Sequence, residues 1–270
     1  MLSLTNDDFE KLSTFTKSNY GLDLSQKRNI VEARLQGFLT KKGYVSFPPY
    51  FQTLVNDQTG SEVTALLNRL TTNYTYFMRE VDHFNYFRDT ILPYLVTTVK
   101  NKDLRIWSAG CSSGEEPYTL AMILNDYLGK DVVSWDAKIL ATDISSQVLD
   151  IALKATYSDE QIKAVPENWK RQYFEPVNNG ENSLVASIRE GVILKKFNLM
   201  ENNFPFKQKF HVIFCRNVMI YFDAETKRQL INRFYDSTAA GGYLIIGHSE
   251  SLTRKDTKYK YIVPAVYRKE

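Results

Sequence analysis

Apolar residues recur along the first 70 positions at the spacing of helix faces. Phe9, Leu12 and Phe15 make one such set, with Asp7 or Asp8 placed to cap it. Val31, Leu35, Phe38 and Leu39 make a second, with Ser25 as its candidate cap and Gly43 as its stop. Pro48-Pro49 punctuates before further helical segments. Lys27, Arg34 and Lys41 recur every seven residues on the second helix, a basic stripe with Arg28 and Lys42 nearby. A solvated face is the commoner meaning of such a stripe; a docking surface for an acidic partner is the other.

The pattern then lapses. Thr71 to Glu80 carry hydroxyls, an amide and aromatics with neither helical nor strand spacing, which suits a segment lining something better than a plain connector. A helix resumes with Phe84, Phe87, Ile91 and Leu95 toward the core, and Pro93 late within it predicts a kink or an early end.

From Leu104 the order becomes strand, helix, strand, helix. Leu104, Ile106 and Trp107 read as a buried strand, Gly110 to Gly114 as a loop of small residues, and Leu120, Ile123, Leu124 and Tyr127 as the face of the next helix. Lys138 to Thr142 make a second strand that ends at Asp143, with a helix beginning near Ser145. Gln172-Tyr173-Phe174, Ser183 to Ile188 and Val192 to Phe197 are short strands, turned at Asn178-Asn179-Gly180 and Glu190-Gly191, and predict a small inserted antiparallel sheet. Phe210 to Cys215 is another buried strand. Asp223 opens a helix that Gly241-Gly242 is expected to close, Tyr243 to Ile246 follow as a strand, and Tyr259 to Tyr267 form a terminal hairpin interrupted by Pro264.

Composition narrows the class. Hydrophobic content of 43% in 270 residues supports one large or two modest globular domains, and a net charge of +3 is too mild to imply nucleic-acid binding. No apolar run reaches membrane-spanning length and no basic-then-apolar leader opens the chain, so a cytoplasmic location is expected. Two cysteines make no disulfide framework. His83, His211 and His248 show no metal-ligand spacing, so no metal is expected.

The candidate chemistry lies in the loop after Trp107. Its glycines and small side chains let a ligand approach the backbone, and in an open α/β sheet that loop is where a nucleotide-like ligand sits. It is not G-x-G-x-x-G and lacks the Lys-Ser/Thr ending of a P-loop. Glu115 and Glu116, at the helix start with Pro117, would repel phosphate, so a ligand with hydroxyls or positive charge fits better. Asp143 is placed to accept from ribose hydroxyls, or to cap the following helix, or both.

Six stretches, in order, carry a resemblance: Thr72 to Arg79 (TNYTYFMR), Trp107 to Tyr118 (WSAGCSSGEEPY), Ala141 to Ile144 (ATDI), Asn198-Leu199, Phe214 to Phe222 (FCRNVMIYF), and Gly247 to Glu250 (GHSE). Together they resemble the chemotaxis receptor methyltransferases, the CheR family, over essentially the whole chain. The resemblance implies a seven-stranded, Rossmann-like methyltransferase domain over 104–270, with a β-subdomain at about 170–197. An all-helical domain over 1–70 would precede it, and a segment and helix over 71–103 would line the cofactor site. It implies transfer of the methyl of S-adenosylmethionine to glutamate side chains of methyl-accepting chemotaxis receptors, leaving S-adenosylhomocysteine. The cofactor contacts it implies are Asn73, Thr75, Arg79, Glu116, Asp143, Asn198, Leu199, Arg216 and Asn217, with Glu115 beside Glu116.

A glutamate with a pKa of about 4.3 is already ionised near neutrality, so the reaction needs no strong general base. Arg79 is expected to steer the substrate or cofactor carboxylate, and Tyr221 either hydrogen-bonds near the transferring methyl or packs at a turn. Under this resemblance Lys27, Arg34 and Lys41 would meet acidic receptor helices, and the enzyme would be cytoplasmic and recruited to membrane receptor arrays, without nucleic acid or membrane insertion. Cys111 and Cys215 read as buried filler whose thiols border the pocket. Three rivals are a nicotinamide oxidoreductase, which would want the absent G-x-G-x-x-G, a cofactor-sensing scaffold that lost catalysis, and a methyltransferase for a small molecule or nucleic acid, which would not explain the helical front and the inserted sheet together. Intact Asn73, Thr75 and Arg79 favour the enzyme.

Overall fold

Helices α1 (Asn6–Tyr20), α2 (Arg28–Lys41), α3 (Phe47–Asn56) and α4 (Ser61–Leu70) open the computed structural model, which describes residues 4–253, 255 and 257–270. They bury Leu12, Leu35, Tyr50 and Leu66 in one cluster, and Ile144 and Tyr221 from later in the chain pack against it. Thr5, not Asp7 or Asp8, caps α1. Its hydroxyl accepts from the Asp8 amide and the Asp8 carboxylate accepts from the Thr5 amide, both at 3.1 Å. This reciprocal pair satisfies two orphan donors, so the acid works from inside the first turn. Ser25 does not cap α2 either. It stands in a turn held by Asp23 Oδ1, and the cap position, Lys27, offers no side-chain acceptor.

Thr71 to Glu80 run irregularly to α5 (Val81–Tyr86). A π turn over Phe87–Ile91 joins α5 to α6 (Leu92–Thr98). Pro93 sits in the first turn of α6 with no N–H to return, and the wider turn before it absorbs the missing bond. The helix neither ends nor loses its buried face: Phe84, Phe87, Ile91 and Leu95 are all in the core.

The rest of the chain alternates. β1 (Ile106–Ala109), α7 (Glu115–Leu128), β2 (Ile139–Asp143) and α8 (Ser146–Lys154) come first, then β3 (Thr156–Ser158), α9 (Glu167–Tyr173), β4 (Phe174–Pro176), β5 (Glu181–Leu184) and α10 (Ala186–Arg189). β6 (Val192–Lys196), β7 (Phe210–Cys215), α11 (Ala224–Ser237), β8 (Thr238–Ile246), β9 (Lys260–Val263) and β10 (Val266–Arg268) complete it. Seven strands form one sheet in the order β6-β2-β1-β7-β8-β10-β9. The first five are parallel, and the final hairpin adds β10 antiparallel to β8. Trp107 anchors one face, with its indole N–H on Thr142 Oγ1 at 2.9 Å and the rings of Phe197, Phe204, Phe206, Phe210 and Phe234 around it.

Three expectations change. The small antiparallel sheet is β3-β5-β4, so it begins at Thr156, earlier than position 170. Gln172 and Tyr173 end α9, and Ala186 to Arg189 are helical. Val192–Lys196 leaves the small sheet altogether and pairs in parallel with β2 at the edge of the main one. A short apolar run states that it is a strand, not which sheet it joins. Finally, α11 ends at Ser237, and Gly241-Gly242 lie inside β8 where its register against β7 shifts. A Cβ on Gly242 would stand 2.8 Å from the His211 carbonyl, so these glycines serve the irregularity in the strand.

His211 on β7 accepts from the Arg105 amide at Nδ1 (3.0 Å), and burial, then the nearby Arg105 charge, lower its pKa. The unfolded ring protonates near 6.5 while the folded one resists, so stability is lost as pH falls below about 6.5. The denaturant midpoint is expected to be lower at about pH 5.5 than at about pH 7.5, and His211→Gln to shrink that difference. An unchanged difference would show that other groups set it.

Candidate active site

Strand order places the site. The chain steps outward from β1 through β2 to β6, then returns to lay β7 on the other side of β1, so the loops after β1 and β7 flank a switch-point crevice. A cavity of about 420 Å³ opens there, closed on its other sides by residues 71–76, Asn198-Leu199 and the helical front of the chain.

The loop after β1 approaches closely because of its glycine. Gly110 has φ +87°, and a Cβ on it would lie 2.4 Å from a Val218 methyl. The amides of Gly110 and Cys111 both bond the Thr142 carbonyl, and Asp143 continues this link between the two strand ends. One Asp143 oxygen accepts from the Ser112 amide and the other from the Ser145 amide, each at 2.9 Å. Ser145 itself caps α8. Burial raises the Asp143 pKa against these backbone bonds, and each oxygen keeps a second lone pair for a hydroxyl.

The two adjacent glutamates part company. Glu116 faces the cavity, where it accepts from Ser108 Oγ (2.7 Å) and from Arg216 Nη1 (3.0 Å). Glu115, a helical step of about 100° away, is 1% exposed and turned from the cavity, with both oxygens on Ser113 Oγ. The expectation that Glu115 contacts the cofactor is therefore corrected. Burial raises the pKa of both.

Arg216 is the electrostatic centre. Its side chain is 3% exposed, lies over the Phe84 ring, and bridges Glu116 to Glu80 while donating to the Arg79 carbonyl. Burial opposes charge on Glu80. Arg216, the Asn217 amide group and the His248 N–H outweigh it and hold Glu80 below the usual carboxylate range. Asn217, at φ +59°, donates from Nδ2 to Glu80 (3.1 Å) and from its backbone to Glu250 (2.9 Å). Glu250 also takes the Gly247 amide at 2.7 Å, clamping the loop after β8 to the loop after β7.

Asn73 and Thr75 line the cavity from the irregular segment, which Ser112 Oγ holds through the Asn73 carbonyl. Arg79 also faces the cavity. Its guanidinium donates to the Tyr74 carbonyl at 2.6 Å and forms no ion pair among the described residues, unlike Arg216, which pairs with two glutamates. Tyr221 fixes the start of the segment: its hydroxyl accepts from the Thr72 amide (3.0 Å) and donates to the Thr72 carbonyl (3.2 Å). Asn198 bonds the Asn19 carbonyl and the Met200 amide beside Leu199.

Sequence comparison decides what this crevice is for. The model described as "CheR methyltransferase, SAM binding domain" matches residues 73–267, and "CheR methyltransferase, all-alpha domain" matches 7–71. The chain belongs to the CheR methyltransferase family. It is 40% identical to the chemotaxis protein methyltransferase of Borreliella burgdorferi, over 99% of this chain and 96% of that one. It is 33% identical to the Escherichia coli protein of the same name, over 98% and 92%.

As a CheR-type enzyme it is an S-adenosylmethionine-dependent methyltransferase of chemotaxis, and its cavity fits that cofactor. Two carboxylates, Asp143 and Glu116, are positioned for hydroxyls and positive charge, and the close-approach glycine sits between them. Glu116→Gln is expected to weaken S-adenosylmethionine at least about tenfold and Glu115→Gln by less than about twofold, read by calorimetry. Equal losses would place both side chains at the ligand.

Several site residues were not singled out from the sequence. Glu80 and Glu250 lie within or beside the quoted stretches, but only the fold shows what they hold. Ser108 and Ser112 read as small loop filler. The thiols also differ from expectation. Cys111 borders the cavity, whereas Cys215 is wholly buried and packs in the core cluster around Trp107 without lining it. Burial raises both thiols well above their ordinary range.

The basic stripe divides three ways. Lys27 lies over the Tyr221 ring at 5.4 Å. Arg34 caps α4 by donating to the Leu70 carbonyl at 2.9 Å, with the Arg69 carbonyl at 3.3 Å. Lys41 stays exposed in the last turn of α2.

Proposed function

We propose that this enzyme methylates glutamate side chains on the cytoplasmic helices of methyl-accepting chemotaxis receptors, forming glutamyl methyl esters. The carrying observation is Arg79: a guanidinium with no ion pair among the described residues, at a cavity whose other arginine is paired with Glu80 and Glu116. A free, planar cation suits a carboxylate that must be guided but not neutralised. S-adenosylmethionine, when bound, supplies an electrophilic methyl on a positively charged sulfur.

The residues present do the rest by placement. A receptor glutamate is ionised near neutrality, so no side chain needs to take its proton. Glu116, Asp143 and Asn73 fix the cofactor side, Arg79 aligns the incoming carboxylate, and holding the reacting atoms in line is the main acceleration. We assign Tyr221 to positioning, since its hydroxyl is committed to Thr72 and sets where the segment to Arg79 begins. Peptide mapping after incubation with receptor membranes is expected to find the added methyl on glutamates. Methyl groups found only on another residue type would exclude this substrate.

Lys27 and Lys41 are the stripe residues whose ammonium groups have no carboxylate partner among the described residues, while Arg34 has a structural task. Charge reversal of Lys27 and Lys41 together is expected to lower kcat/KM for receptor about tenfold or more, with greater loss at low salt, and to leave S-adenosylmethionine affinity unchanged. An unchanged receptor kcat/KM would remove α2 as the docking face. This reading makes the enzyme cytoplasmic and brings it to receptor arrays through its substrate.

A further inference from the structure

The fold assembles three side chains that the sequence keeps far apart. Glu80, His83 and His248 each offer a ligand atom, and these atoms all lie within 4.8 Å of one another. His83 is 2% exposed, and neither ring nitrogen has a hydrogen-bond partner. Leaving a buried polar group unmet is costly, so this ring calls for an explanation.

The geometry points to one. We propose that Glu80, His83 and His248 form a binding site for Zn²⁺ or a similar transition-metal ion. His83 Nδ1 stands 3.4 Å from Glu80 Oε2 without forming a hydrogen bond to it. Ligands about 2.0–2.1 Å from a tetrahedral ion are separated by about 3.3 Å, so the pair is already at the spacing of co-ligands. The two imidazoles meet edge to face at 4.3 Å between centroids, and His248 is exposed, so its ring can turn inward while the outer position is left to water.

The donor set selects the ion. Two imidazoles and one carboxylate suit zinc and its neighbours, whereas magnesium and calcium want oxygen throughout. Glu80 also holds Arg216 and Asn217, which puts the site one carboxylate away from the methyltransferase cavity.

The test uses the full chain, untagged and stripped of metal, titrated with zinc chloride by calorimetry and with cobalt(II) chloride by visible absorption. One equivalent should bind, and cobalt should show four-coordinate d–d bands without a thiolate charge-transfer band. His248→Ala, at an exposed position that leaves the fold intact, should weaken zinc at least about tenfold, and Glu80→Gln should weaken it as well. Absence of stoichiometric binding, a thiolate band, or an affinity unchanged in His248→Ala would overturn the site. Thermal unfolding of the metal-free variant confirms that any loss comes from the ligand.

Discussion

Arg79→Ala lowers kcat/KM for methyl transfer about 10²–10³-fold, the scale of losing a preorganised charged donor at a reacting centre. Its stability cost stays near the worth of one hydrogen bond, about 1 kcal/mol, because the guanidinium holds only the Tyr74 carbonyl. Arg79→Lys recovers part of the rate at most, since a point charge replaces a planar fork. Steady-state kinetics with receptor membranes and a denaturant titration of the same preparations give both numbers. A rate loss accompanied by a large stability loss would make Arg79 a structural residue, and a near-normal rate would remove it from the reaction.

The opposite balance is expected at Arg216. Arg216→Met strands two carboxylates, Glu80 and Glu116, in a site where burial already opposes their charge. Breaking a buried pair by removing one partner costs about 3–5 kcal/mol, so this substitution should lower the unfolding midpoint more than any single change in the cavity wall. Cofactor binding should fail with it, because the Arg79 carbonyl loses its donor and Glu80, which holds Asn217, loses its charge partner. Adding Glu116→Gln should restore part of the stability, since it removes one stranded charge, and a double-mutant cycle reads that coupling. Strictly additive effects would show that the bridge between the two elements carries no energy of its own.

The same two arginines show how far the sequence reaches. Both stand in quoted stretches and both are among the expected cofactor contacts, yet residue type cannot tell a guanidinium paired with two glutamates from one without an ion pair. The loop from Ile106 to Pro117 and the acid at Asp143 are legible because a strand end, a glycine turn and a helix start have fixed physical signatures. Glu115 and Glu116 are not separable, because a difference of one helical step emerges only once the helix is docked. Val192–Lys196 is legible as a strand but not as an edge of the main sheet, since pairing is decided by distant backbone. Gly241-Gly242 looks like a helix stop and proves to serve a register shift, as the same residue freedom suits both. His83 and His248 look scattered, and only the meeting of α5 with the loop after β8 puts them in contact.

The proposed function stands on the formation of carboxyl methyl esters on receptor glutamates. The most direct measurement is the transfer of radiolabelled methyl from S-adenosylmethionine to receptor-containing membranes, followed by mild alkali. The account predicts label on the receptor that alkali releases as methanol, and little label when Arg79→Ala replaces the native enzyme. Label that survives alkali, or cofactor binding with no transfer to receptor, would contradict it.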